Sequence, residues 1–177
     1  MVELTDIKKD LPNCPDEVIE EWLVYLANRD DTGWPPPDPL TGSWAAILGG
    51  RPLSWWQDVS WQKEATDCSL AALAPKTHGI VTAMRAEINA QKADAVTQRR
   101  FNHALVHILT EGKIPKPLTG MKVNGRLLVL DGNHRVAAFT AAQGFPDATL
   151  QQKGWHKVVA QQDVWIGTHP KGEAPLT

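Results

Sequence analysis

The sequence predicts an α+β fold, with a helical N-terminal extension ahead of a region of strands and helices. Three observations carry that expectation. Apolar residues recur at helical spacing between residues 67 and 111. The pattern then changes to two apolar runs joined by Asn124-Gly125, a strong hairpin signal. The chain has 177 residues, 42% hydrophobic and 21% charged, which suits one ordinary globular domain with its own core. No apolar run approaches the roughly 18 residues of a membrane span. Met1-Val2-Glu3-Leu4-Thr5-Asp6 lacks the basic head and apolar stretch of a signal peptide. The expected setting is therefore cytoplasmic, without membrane insertion.

The elements follow in order. Asn13-Cys14-Pro15-Asp16-Glu17 reads as a helix start, with a cap residue, a proline in the first turn and acids at the positive end of the dipole. Val18, Ile19, Trp22, Leu23 and Leu26 form its apolar face, and it should stop near Asn28. Trp34-Pro35-Pro36-Pro37-Asp38-Pro39 predicts an extended connector. Ser43 is placed to cap a short helix through Leu48, ended by Gly49-Gly50. The stretch Leu53 to Gln62 fits neither period.

Asp67 is placed to cap a helix over residues 69–74, and Thr77 another with Ile80, Met84 and Ile88 inward. The longest helical pattern runs from Ala93 to Glu111, with Val96, Phe101, Leu105, Ile108 and Leu109 inward and Gly112 as its stop. Strands are expected over Pro117–Val123 and Arg126–Leu130, then a helix over His134–Gln143. A last strand is expected at Val158–Ala160 and Val164–Ile166.

Charge divides the chain. Residues 1–68 carry five Lys/Arg against thirteen Asp/Glu; residues 69–177 carry thirteen against seven, and all six histidines. A near-neutral total therefore does not exclude a local basic surface for nucleic acid. Six of the eight tryptophans lie in the first 61 residues. The expected organisation is an acidic, Trp-rich extension, residues 1–68, packed on a core of residues 69–177. The indoles are expected to pack, leaving one or two for a protein partner. Cys14 and Cys68 fit neither a metal spacing nor a disulfide framework and read as buried thiols.

The chemistry concentrates in Leu130-Asp131-Gly132-Asn133-His134-Arg135-Val136-Ala137-Ala138. A strand ends in an acid, a glycine permits a tight turn, and a helix starts on polar residues. The unpaired N–H groups of that first turn and the helix dipole suit an anion. Arg135 offers a forked cation for phosphate oxygens, and His134 can donate a hydrogen bond or move a proton near neutral pH. A plain cap with surface neighbours is the simpler alternative.

Asp131-Gly132-Asn133-His134-Arg135-Val136-Ala137-Ala138 resembles the signature of the ParB/sulfiredoxin superfamily, with its G-x-x-R or G-x-H-R turn. The resemblance takes in Ile114–Leu118, Lys122–Arg126, Lys157–Ala160 and Val164–Gly167, and covers roughly residues 93–170. It implies a small mixed sheet with helices. Members bind nucleoside triphosphates with this turn and include CTP-hydrolysing partition proteins, sulfiredoxins, a free-amino-acid kinase and nucleases. Some plasmid proteins of this fold block conjugative transfer through a type IV secretion system. Sulfiredoxin needs a cysteine where this chain has Asn133, so sulfinic acid repair by that chemistry is excluded.

The resemblance implies ATP or CTP as substrate, with Mg2+, and DNA as a second partner. Gly132, Asn133, His134 and Arg135 would hold phosphate, with Arg100 on the preceding helix and Lys116 before the strand. Catalysis would fall to Asp131, His134, Arg135 and Glu111. Glu111 and Asp131 compete for orienting the attacking water and for holding magnesium. His103, His107 and Glu111 also share one helical stripe, which suits either a divalent metal or plain solvation. The expected function is nucleoside triphosphate hydrolysis with DNA cleavage. The alternatives are a small-molecule kinase of the same fold, or a non-catalytic protein binding a secretion or toxin partner.

Overall fold

The computed structural model describes residues 1–176. It is a mixed α/β protein with one four-stranded mixed sheet, in the order β1-β4-β2-β3. The strands are β1 (Ser60–Asp67), β2 (Leu118–Val123), β3 (Arg126–Asp131) and β4 (Gln161–Thr168). The helices are α1 (Leu4–Asp10), α2 (Asp16–Val18), α3 (Tyr25–Ala27), α4 (Gly42–Ile47), α5 (Leu53–Trp56), α6 (Pro75–Asn89), α7 (Ala95–Glu111), α8 (Asn133–Gln143) and α9 (Asp147–Lys153). A π-helical stretch, Ile19–Val24, joins α2 to α3. No helix is long and apolar enough to cross a membrane among the described residues.

Two compact units emerge: residues 1–62 with 165–176, and residues 63–164. This departs from the expected division at residue 68. In the first unit the chain's end binds its beginning. Trp165 donates to Glu17 (2.7 Å), and Trp55 donates to Glu173 (2.8 Å) and stacks on His169 at 4.5 Å. The Leu176 amide donates to the Gly49 carbonyl (2.7 Å). In the second unit, residues 63–68 have their own ties: Cys68 donates to the Ala160 carbonyl, and Glu64 pairs with Lys122.

The first unit is built around indoles. Trp56 meets Trp22 edge-on at 5.3 Å and Trp55 at 4.9 Å, and lies nearly parallel to Trp61 at 6.4 Å. Trp22, Trp44, Trp55 and Trp56 are buried, while Trp34, Trp61, Trp155 and Trp165 are half-buried. Asn13 is not a helix cap. It lies before Pro15, and its amide donates to the carbonyls of Trp56 and Val59. Ser43 lies inside α4, where its hydroxyl pairs with Asp31.

In the second unit β2 and β3 form the expected antiparallel hairpin around Asn124-Gly125, with an irregularity between Thr119 and Gly120. Gly120 is required by close approach: a Cβ there would lie 2.7 Å from the Leu128 carbonyl oxygen. Helix α6 starts at Pro75, not Thr77, because proline suits the first turn. Thr77 instead points to the sheet, where its hydroxyl accepts the Val129 amide (2.9 Å). That rotation buries Val81 and leaves Ile80 exposed, and Val96 of α7 is exposed as well. Asp67 does bond the Ser69 amide, but only a 3-10 turn, Leu70–Ala72, follows. Residues 158–160 are outside any strand; the strand is β4, and residues 60–62, the end of the stretch from Leu53 to Gln62, open β1. Burial holds both thiols, Cys14 and Cys68, up at about 12, so neither is a ready nucleophile.

Candidate functional site

The Asp131–Arg135 turn is positioned from three sides. Strand β3 delivers Asp131, and Gly132 turns the chain at φ +106°. A Cβ at Gly132 would lie 2.5 Å from Leu118 Cδ2 and 3.2 Å from Arg135 Nε, so both conformation and space require glycine. Helix α8 then buries Val136, Ala137, Ala138, Phe139 and Thr140. The two alanines allow the close packing of α8 against α6 and α7.

Helix α8 has no side-chain cap. Its first i to i−4 bond runs from the Val136 amide to the Gly132 carbonyl (3.0 Å). The amides of Asn133, His134 and Arg135 therefore precede the ladder, at the positive end of the dipole. Asn133 Oδ1 is buried there without a hydrogen-bond partner.

Arg135 turns inward. Its Nη2 donates to Asp131 Oδ2 at 2.5 Å, and its Nη1 donates to the carbonyls of Lys116 (3.2 Å) and Pro117 (3.1 Å). These bonds tie the start of β2, the end of β3 and the first turn of α8 into one knot. They use three of the five N–H groups a guanidinium offers. Arg135 is thus first a brace of the turn, a role its position in the motif does not disclose.

His134 is half-buried. Burial lowers its pKa from the ordinary value, and Arg100 and Arg135 lower it further against the opposing pull of Asp94. The imidazole is neutral at pH 7, with one nitrogen to donate and one to accept. Arg100 of α7 thus lies within electrostatic reach of His134. Asp94, absent from the sequence-derived set, joins them because it caps α7 through the amides of Val96 (2.9 Å) and Thr97 (3.0 Å). The signal for it was there: an aspartate at the very start of the longest helical pattern.

The remaining expected residues separate. The backbone of Lys116 belongs to the Arg135 knot, while its side chain is exposed. Glu111 is exposed at the other end of α7, eleven residues or about 16 Å along the axis from Arg100. Among the described residues no hydrogen bond or ion pair joins it to the turn. His103, His107 and Glu111 do not gather: among the described residues no three His, Cys, Asp or Glu side chains form a group able to hold a metal. The carboxylate of the turn itself is Asp131, whose Oδ2 accepts from Arg135.

No family model, curated protein or solved structure matches the chain.

Proposed function

We propose that the Asp131–Arg135 turn, in a core of the ParB/sulfiredoxin type, binds the phosphates of a nucleoside triphosphate and hydrolyses it. The supporting observation is the uncapped start of α8 with a neutral His134 and the Arg100 cation beside it. The amides of Asn133 and His134 bind phosphate oxygens, and Arg100 brings positive charge close to where negative charge develops on the phosphates in the transition state. Water attacks the γ-phosphorus, the bond to the β,γ-bridging oxygen breaks, and neutral His134 accepts the proton. Asp131 would be the carboxylate to hold a magnesium ion brought with the nucleotide, which would supply neutralising charge for the phosphates. Arg135 holds the turn in shape and keeps two N–H groups for phosphate.

DNA cleavage is the second activity in this reading, supported by the excess of Lys and Arg in residues 69–177. A link to conjugative transfer rests on the resemblance alone. The test is hydrolysis of ATP, CTP and GTP in parallel with magnesium, and nicking of plasmid DNA, by wild type, His134→Ala and Arg100→Ala. Loss of hydrolysis in both variants with an unchanged fold supports the proposal. A wild-type protein that neither hydrolyses any of the three nor nicks DNA sinks it.

A further inference from the structure

A groove of about 300 Å³ with a mixed polar and apolar lining lies between residues 112–117 and residues 159–163. That volume is at the small end of ligand-binding pockets. Its walls are fixed. The Ile114 amide donates to Gln162 Oε1 (2.8 Å), and Gln162 Nε2 donates to the Val159 carbonyl (3.0 Å). At the other end the carbonyls of Lys116 and Pro117 hold Arg135. Pro115 and Pro117 stiffen the backbone between these anchors. The groove thus begins where the turn ends and runs back to Gly112, beyond the end of α7.

The lining is divided by chemistry. Lys113 and Lys116 line one wall, and Gln161 and Asp163 line the other. Pro115 and Val159 supply apolar surface, and Val159 is 65% exposed. Lys113 is exposed and makes no ion pair among the described residues. A bare phosphate would use the ammonium groups alone, and an apolar ligand neither wall. A nucleotide unit uses all three surfaces. Its phosphate meets the lysines, its sugar or base face lies on Pro115 and Val159, and its base-edge donors meet Asp163 and Gln161.

We propose that this groove binds one nucleotide unit, from a single strand of nucleic acid or a free nucleotide, beside the Asp131–Arg135 turn. The proposal rests on the phosphate reading of the turn, which shares Lys116 and Pro117 with the groove. The groove then makes the path by which a strand reaches the reacting centre, and Asp163 gives it a preference among bases.

The test uses the whole chain and two fluorescent probes in separate anisotropy titrations: a single-stranded DNA decamer and an AMP analogue. The Lys113→Glu variant should bind the decamer about tenfold more weakly, with a shallower dependence on salt. Asp163→Asn should change the ranking of decamers of different base without changing that salt slope. Weakening of the AMP analogue alone supports the groove and assigns it to a free nucleotide. Binding of both probes unchanged by Lys113→Glu, or no binding of either by wild type, overturns the proposal. ATP binding is followed in the same samples. Its absence in wild type would sink the reading of the turn, and the Lys113 result would still judge the groove.

Discussion

The hydroxyl of Thr77, near the start of α6, accepts the amide of Val129 in β3 at 2.9 Å. Together with the Ala74 amide on the Leu127 carbonyl (2.8 Å), it covers backbone groups that β3 does not give to β2. Thr77→Val keeps the shape and removes the acceptor, leaving a buried N–H without a partner. It should cost about 1–3 kcal/mol in urea unfolding. Thr77→Ser should restore most of that loss. Equal stability of the valine variant and wild type would count against the bond.

Arg135 and Asp131 should behave as a coupled pair. Their side chains retain 15% and 28% of their exposure, so water screens the contact only in part. Arg135→Ala also orphans the carbonyls of Lys116 and Pro117, and should destabilise the fold by about 3 kcal/mol. In a double-mutant cycle with Asp131→Ala the losses should be less than additive, by at least ~0.5 kcal/mol. Strict additivity would show that the pair contributes nothing to the turn.

His134 should titrate below 6.5 when followed by NMR of its ring protons. Arg100→Ala should raise that value by removing a neighbouring positive charge, and Asp94→Asn should lower it further. The effect on stability has a definite sign. The folded imidazole binds its proton less readily than the unfolded one, so acid favours unfolding. The contribution is present above 6.5 and is lost as pH falls toward the folded pKa. A titration above 6.5 would contradict the surroundings described for this residue.

Trp56 sits between Trp22, Trp55 and Trp61 and is 2% exposed. Trp56→Ala should cost about 3–5 kcal/mol, read by chemical denaturation. Nucleotide affinity of the remaining folded protein should be unchanged, because the phosphate turn is built from other residues. A loss of affinity without a loss of stability would return the indoles to ligand binding.

The second unit was more legible than the first. The hairpin at Asn124-Gly125, the stop at Gly112 and the turn at Gly132 are local: each follows from the backbone freedom of one or two residues. Thr77 and Ser43 misled because a hydroxyl that suits a cap also suits a distant partner, and only tertiary structure chooses between them. Strand β1 was hidden because Trp61 and its neighbours are partly exposed, without clean alternation. In the site, the motif marked Asp131, His134 and Arg135, but not that Arg135 spends its donors on carbonyls fifteen or more residues away. Glu111 shares a helix with Arg100, and sequence proximity concealed their separation along its axis.

The first unit draws on both ends of the chain. During synthesis, Trp55 leaves the ribosome more than a hundred residues before His169 and Glu173, the groups that cover and bond its ring. The Trp-rich segment must therefore wait, incompletely shielded, while all of residues 63–164 emerge. A nascent chain arrested before residue 165 should carry indoles open to water and to chaperones.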